Sequence, residues 1–112
     1  MGWKMFLDDE KFPIDTNAVI ARTMQEAQSI IDKKGCPDEI MFDHDLGQDI
    51  STGFDFAKWL VEKDLDNSEN FLPINFVFSV HSQTQGKENI EGLLNPYLEY
   101  KRTTFLNKKM KL

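Results

Sequence analysis

Short apolar runs that stop abruptly at charged or histidine residues constrain this fold more than any other feature of the chain. Segments 3–7, 39–42 and 74–80 are each a few residues long and rich in large apolar side chains. Runs of this length, bounded by turn-forming residues, are typical of buried strands. A shorter run at 18–21 has the same character. The sequence therefore predicts four strands.

Segments with helical periodicity separate the later runs. Thr23 and Glu26 have the spacing of a capping box, so a helix is predicted to begin at Thr23, and Gly35 is predicted to end it. A second helix is predicted over 53–64. A third begins near Gly86 and carries a regular apolar stripe.

Strands that alternate with helices indicate an open parallel sheet with right-handed crossovers. Only about ten residues join the first two strands, which is short for a helical crossover, so a loop is expected to replace the first helix. We predict a three-layer α/β fold with four to five strands in the order 2-1-3-4. Residues 103–106 are a candidate for a short edge strand.

Length and composition predict one domain over residues 1–112, with a basic tail at 101–112. The chain has 112 residues and a formal net charge of −6, which argues against extended DNA binding. Its single cysteine excludes an internal disulfide and fits a reducing compartment. No apolar run approaches the roughly 18 residues that a membrane span needs. We therefore expect a cytoplasmic protein without a membrane segment.

Three of the predicted strands end in reactive side chains. In an open α/β sheet, ligands bind at the carboxyl ends of the strands, and neighbouring strands lie only about 4.8 Å apart. Side chains that follow adjacent strands can therefore share one site. Clustered carboxylates repel one another unless a cation compensates, and oxygen ligands suit Mg²⁺ or Mn²⁺. The residues in question are Asp8, Asp9 and Glu10; Asp43, His44 and Asp45; and His81 and Ser82.

Each of these residues taken singly also has a plain structural explanation. Aspartates often follow strands because they favour turns and helix caps. His44 can equally cap a turn, and His81 can be a hydrogen-bonded residue under a loop. The acids Asp64, Asp66 and Glu69 are expected to form a solvated helix end. Only the coincidence at three strand ends favours a functional site.

Two basic features lie outside these strand ends. Lys87 follows a glycine near a predicted helix start, where an amide and an ammonium group can meet a phosphate, although the pattern of a P-loop is absent. Lys108, Lys109 and Lys111 form a short cluster in the tail, either a solvated end or a weak nucleic-acid contact.

At the strand ends the sequence resembles response-regulator receiver domains. That family has an acidic pair after strand one, a phospho-accepting Asp after strand three, and Ser or Thr after strand four; Asp8, Asp9, Asp43 and Ser82 match in that order. The chain resembles more closely the cyclic-phosphate processing receiver domains, over most of residues 3–94. Its matching motifs are Leu7-Asp8-Asp9-Glu10-Lys11, Phe42-Asp43-His44-Asp45-Leu46-Gly47 and Val80-His81-Ser82, with Lys11 where the family has Arg.

This resemblance implies a receiver-like (flavodoxin-like) fold and a metal-dependent phosphoesterase that processes cyclic phosphates of RNA ends or nucleotides. The implied cofactor is a divalent metal, Mg²⁺ or Mn²⁺, and the implied substrate a cyclic-phosphate nucleotide or RNA end. The expected residues are Asp8, Asp9 and Asp43 for the metal; His44, His81, Ser82 and Asp45 for catalysis; and Lys11, Ser82 and Lys87 for the phosphate.

Two alternatives come from other classes of function. One is a signalling receiver that accepts a phosphoryl group on Asp43, against which the added histidines and the lack of a secure match for the fifth-strand Lys both count. The other is a receiver-like adaptor without catalytic activity that binds a partner protein.

Overall fold

A computed structural model describes residues 2–8, 17–42, 51–68, 70–80 and 85–110. Within this part of the chain, four strands and three helices follow one another. They are β1 (Lys4–Leu7), β2 (Val19–Ala21), α1 (Met24–Lys34), β3 (Glu39–Phe42), α2 (Ser51–Asp66), β4 (Val77–Val80) and α3 (Gln85–Met110).

The four strands form one parallel sheet in the order β2-β1-β3-β4. The predicted strand order is confirmed, including the parallel pairing of the first two strands. The predicted loop between β1 and β2 falls mainly on residues 9–16, which are not among those described. β4 is shorter than its apolar run, because a turn precedes it in which the Phe76 N–H donates to the Pro73 carbonyl at 3.0 Å.

The ends of α1 follow the local sequence rules. Thr23 caps the helix by accepting a hydrogen bond from the Glu26 N–H at 3.0 Å, while the Glu26 carboxylate accepts one from the Arg22 N–H at 2.6 Å. Gly35 ends the helix at a φ of 85°, a backbone region that favours glycine, and donates its N–H to the Ile31 carbonyl. The predicted start and end of this helix are confirmed.

All three helices pack on the same face of the sheet. The buried core joins Met5, Leu7, Ile40 and Phe42 to apolar residues of α1, α2 and α3. Right-handed crossovers explain the positions of α1 and α2, because the steps from β2 to β3 and from β3 to β4 run in the same direction across the sheet. α3 follows the last described strand and packs against α2. No described helix covers the opposite face, so the third layer predicted from the sequence is not among the described elements.

Residues 103–106 are helical, and the prediction of an edge strand there is wrong. They belong to α3, which continues through Pro96 to Met110. Arg102 fastens this part of the helix to the segment that precedes β4, since its guanidinium donates to the carbonyls of Ile74 at 3.1 Å and Phe76 at 2.6 Å.

Asp64 is fully buried, so the prediction of a solvated helix end is wrong at this residue. Its carboxylate accepts hydrogen bonds from the Lys101 ammonium at 2.8 Å and the Tyr97 hydroxyl at 2.5 Å. It also accepts from the N–H groups of Phe71 at 2.9 Å and Leu72 at 2.7 Å. These contacts, the Asp64 cluster, join α2 to α3 and to the segment before β4.

The charge of Asp64 is stabilised inside the protein. Burial by itself raises the pKa of a carboxyl group, but the hydrogen bonds from Lys101, Tyr97 and the Leu72 N–H outweigh burial and leave the pKa of Asp64 below its usual value of 3.8. Asp66, two residues later, is exposed as predicted. One carboxylate of this group therefore organises the fold while its neighbour is solvated.

Candidate functional site

The register of the sheet brings the ends of its strands into one row. Leu7 pairs with Ala21 on one side and Phe42 on the other, and Phe42 pairs with Val80. The next residue of β1, β3 and β4 belongs in each case to a motif of acidic or histidine residues. Since adjacent strands are about 4.8 Å apart, Leu7, Phe42 and Val80 lie at neighbouring positions along one edge. We call this edge the candidate edge.

Asp8 is the candidate metal ligand whose position the structure describes. It follows β1 directly and is fully buried, although aspartates are rarely buried in full. Its N–H donates to the Ala21 carbonyl at 3.2 Å, which extends the pairing with β2 by one residue. A carboxylate held in this way at a strand end is an oxygen donor of the kind that Mg²⁺ and Mn²⁺ prefer.

Arg22 is a charged residue of the candidate edge that the sequence analysis missed. It follows β2 directly, and its guanidinium donates to the Asp8 carbonyl oxygen at 3.2 Å. The signal was present in the sequence, because Arg22 comes immediately after a predicted strand just as Asp8 does. No acidic or histidine residue directly follows β2, so its end was not among the three named as reactive. A guanidinium at this edge offers planar, paired donors that match a phosphate group.

The helices add positive partial charge at the same edge. α1 begins three residues after the end of β2 and α3 begins five residues after the end of β4, so both helices start near the row of strand ends. A helix N-terminus carries unsatisfied N–H groups and attracts anions. Lys87 is in the first turn of α3 and is half-buried. Its position at a helix start is confirmed, and its role in binding phosphate stays a prediction.

The other predicted site residues lie outside the part of the chain that the structure describes. They are Asp9, Lys11, Asp43, His44, Asp45, His81 and Ser82. Among the described residues alone, no three His, Cys, Asp or Glu side chains are grouped so that they could hold a metal ion. Asp8 therefore provides the one described donor of the predicted metal site, and the fit of a metal to it rests on the burial and chemistry of this carboxylate.

Comparison with known proteins identifies the family. The family model described as "Cyclic-phosphate processing Receiver domain" matches residues 3–96, well over half of the chain. No curated protein and no solved structure matches the sequence. The parallel sheet, its strand order and the matched segment agree with the resemblance found in the sequence motifs. The chain belongs to the family of cyclic-phosphate processing receiver domains.

Proposed function

We propose that this protein is a metal-dependent phosphoesterase that opens cyclic phosphates of nucleotides or RNA ends. The observation that carries the proposal is the row Leu7–Phe42–Val80, since each of these residues is followed in the sequence by a reactive motif. Membership of the family supports the class of substrate. Asp8, Asp9 and Asp43 are the proposed metal ligands. A metal held by these residues would supply positive charge that stabilises the phosphoryl oxygens and would lower the pKa of a bound water.

The side chains of the protein carry the proton transfers and orient the phosphate in this proposal. Opening a cyclic phosphate adds water to phosphorus, breaks one bond between phosphorus and a ribose oxygen, and returns a proton to that oxygen. His44 and His81 exchange these protons, because an imidazole titrates near neutral pH, with Asp45 next to His44 in the same motif. Ser82 donates to a phosphate oxygen.

Cationic groups complete the proposed phosphate site. Lys11 and Lys87 supply ammonium charges, and Arg22 adds a guanidinium at the end of β2, next to Asp8. Replacing Arg22 by Gln is expected to raise KM for a cyclic phosphate about tenfold or more, since a hydrogen bond to a charged group contributes roughly 1.5–3 kcal/mol. Arg22→Lys should recover part of this loss, because it keeps the charge without the paired donors.

Metal binding is tested by thermal unfolding with and without Mg²⁺ or Mn²⁺. A ligand that binds only the folded chain raises its stability, so the wild type should unfold at a higher temperature with metal present. Asp9→Asn and Asp43→Asn should lose this shift. Asp32→Asn is a matched control, because Asp32 is an exposed acid at the far end of α1. If Asp9→Asn and Asp43→Asn respond to metal as the control does, the metal site is assigned to the wrong residues.

Turnover is tested with 2′,3′-cyclic mononucleotides in the presence of either metal. His44→Ala and His81→Ala should each lower the rate about 10²-fold or more, the usual contribution of general acid–base catalysis, without removing the metal shift. A stable acyl phosphate on Asp43, with no cyclic phosphate consumed, would instead identify a signalling receiver. Absence of both activities would leave the adaptor as the better explanation.

A further inference from the structure

The helices α2 and α3 pack side by side and run in the same direction, because each follows a strand of the parallel sheet. Near their starts, a methyl group on Gly53 would lie only 3.3 Å from the Cδ1 atom of Ile90. Near their other ends, the Asp64 carboxylate and the Lys101 ammonium are 2.8 Å apart. Both contacts join residues 37 positions apart, so the two helices keep one register over about three turns.

Two exposed apolar side chains face each other on the outer side of this helix pair. Leu65 directly follows Asp64, and Tyr100 directly precedes Lys101. A step of one residue rotates a side chain by about 100° around the helix axis. Since the two steps run in opposite senses along parallel helices that face each other, Leu65 and Tyr100 both turn away from the core. Leu65 is 53% exposed and Tyr100 is 50% exposed.

Partly buried apolar residues form a floor between these two side chains. They are spaced by three, four or seven positions, so they share one side of each helix with Leu65 or Tyr100. They are Phe54 and Val61 of α2, and Leu93 and Tyr97 of α3. The centroids of the Tyr97 and Tyr100 rings are 6.1 Å apart. We call this surface the α2–α3 groove; from Phe54 to Leu65 it extends roughly 16 Å at the rise of an α-helix.

Acidic side chains flank the more exposed end of the α2–α3 groove. In α2, Glu62 and Asp66 lie within one turn of Leu65. In α3, Glu99 directly precedes Tyr100. All three acids are exposed. An apolar surface with carboxylates beside it favours a partner that is apolar in the middle and positively charged at its sides.

The accessible basic residues along the groove make contacts of their own. At the opposite end, Lys58 pairs with Asp55 at 3.4 Å. Lys63 pairs with Asp32 of α1 at 3.1 Å. Arg102 donates to two carbonyls of the segment before β4. Among the residues that the structure describes, the rim of the groove is therefore net negative.

We propose that the α2–α3 groove binds an amphipathic helix of a partner protein, one whose apolar stripe is flanked by Lys or Arg residues. A helix that lies in an apolar groove presents residues spaced by three and four positions. Three turns of groove accommodate about 11 residues of such a helix. Leu65 and Tyr100 are the main contacts, and tyrosine is among the residues that contribute most to binding at interfaces.

The acidic rim disfavours the other occupants of an exposed apolar groove. Nucleic acids and anionic membranes are repelled by Glu62, Asp66 and Glu99. A second copy related by a two-fold axis would bring the same acidic rim against itself. The groove is on the outer side of the helices, so the inference does not depend on the proposed phosphoesterase activity.

Fluorescence anisotropy with designed peptides tests this proposal on the full chain. The probe is a labelled helical peptide of about 14 residues, with leucines spaced by three and four positions and lysines elsewhere. It should bind about tenfold or more tightly than a peptide with Glu in place of every Lys, or one of the same composition with scattered leucines. Added salt should weaken binding, because exposed charges are screened. EDTA in the buffer keeps the measurement independent of metal.

Leu65→Ala and Tyr100→Ala should each weaken binding of the lysine peptide about five- to tenfold, because each removes a main apolar contact. Leu106→Ala is the matched control. Leu106 is 56% exposed on α3, but it is six residues beyond Tyr100, which is not a whole number of turns, so it lies on another side of the helix. Equal losses for Leu106→Ala and Tyr100→Ala would overturn the proposal.

The acidic rim is tested by Glu62→Gln with Glu99→Gln, which should weaken binding about fivefold or more. Gln25→Lys with Ser29→Lys raises the net charge by the same amount at exposed positions of α1. This control should change the affinity much less. Equal losses in the two double variants would contradict the proposal, because net charge alone would then explain binding.

Sedimentation equilibrium separates a partner helix from a second copy. The oligomeric state is expected to be the same in the wild type, Leu65→Ala and Tyr100→Ala. A dimer that dissociates in these two variants would show that the groove binds a second copy, and the proposal would be wrong. It would also be wrong if none of the peptides bound. Circular dichroism of each variant establishes that it is folded before its affinity is compared.

Discussion

At the scale of single residues, the buried Asp64 is the most consequential side chain that the structure describes. Lys101, its partner, is only 6% exposed, so neither charge of the pair has access to bulk water. Removing one member of a buried ion pair leaves the other charge uncompensated, which costs about 3–5 kcal/mol. Removing both members in favour of apolar groups costs much less. Comparing the single variant with the double variant therefore separates the net contribution of the pair from the cost of leaving one charge unpaired.

Asp64→Ala is expected to lower the free energy of unfolding by about 3–5 kcal/mol, measured in urea. Asp66→Ala is the matched control and should change the free energy by less than about 0.5 kcal/mol, because Asp66 is exposed. Asp64→Leu combined with Lys101→Met should recover only part of the loss, because the Tyr97 hydroxyl and the N–H groups of Phe71 and Leu72 still lose their acceptor. Similar costs for Asp64→Ala and Asp66→Ala would contradict the buried network.

Acid should weaken the fold through the same carboxylate. The pKa of Asp64 is lower in the folded chain than its usual value of 3.8, so the unfolded chain binds the proton more readily. Its contribution to stability is complete above that usual value and is lost as pH falls through the lower folded pKa. Unfolding free energies measured across the acid range should therefore fall less steeply for Asp64→Asn than for the wild type. If the unfolding free energies of the two proteins fall equally steeply with pH, Asp64 is not responsible for the loss of stability in acid.

The thiol of Cys36 should react slowly with alkylating reagents in the folded protein. Burial, followed by the nearby charges of Asp64 and Asp38, raises the pKa of its thiol to about 12 from a usual value of 9.0. Three pKa units mean about 10³-fold less of the reactive thiolate at neutral pH. Alkylation by iodoacetamide should be slow in buffer and fast in urea. Equal rates in both conditions would show that the thiol is not protected.

At the scale of elements, the caps of α1 are where local sequence and structure agree most closely. The Thr23 hydroxyl accepts the Glu26 N–H, so Thr23→Ala should lower the free energy of unfolding by about 1 kcal/mol. Thr23→Ser keeps the acceptor and should lose much less. Ser29, exposed in the middle of α1, controls for loss of a hydroxyl group through Ser29→Ala. Urea unfolding of the three variants checks this, and no difference between Thr23→Ala and Thr23→Ser would argue against the cap.

Elements whose signals are local could be predicted, and those that depend on distant partners could not. Strand β3 was predicted at its observed bounds, since an apolar run between turn residues is sufficient information. The Thr, Thr and Phe residues of segment 103–106 favour a strand by their local propensity. Their helical state depends instead on Arg102 and the carbonyls of Ile74 and Phe76, contacts that span 26 to 28 residues.

The same distinction between local signals and distant partners applies to the functional and buried polar residues. The rule that ligands bind at the carboxyl ends of parallel strands selects Asp8, which the structure places directly after β1; its role in a site stays a prediction. Arg22 was not predicted, because no acidic or histidine residue directly follows β2 and only the other three strand ends were named as reactive. The burial of Asp64 was not predicted, because no sequence pattern indicates its ion pair with Lys101, 37 residues later.

At the scale of the whole molecule, the folding unit extends past the segment that defines the family. The family model ends at residue 96, yet Leu98 and Lys101 are buried and Arg102 holds the segment before β4. A protein ending at residue 96 would leave Asp64 buried without its ammonium partner. We therefore expect residues 1–96 to lack a cooperative thermal transition, and residues 1–106 to retain one. Similar melting curves for both would show that the end of α3 is dispensable.

The Asp64 cluster also has a consequence for how long the folded state lasts. Its four hydrogen bonds join residues that are 7, 8, 33 and 37 positions apart. The two longest, from Tyr97 and Lys101, cannot form until α3 has docked on α2, so this part of the cluster should be absent from the transition state for folding. Stopped-flow measurements of Asp64→Ala should then show much faster unfolding and nearly unchanged refolding. The buried carboxylate would thus slow unfolding and set the lifetime of the native state, while the rate of folding would depend on formation of the sheet.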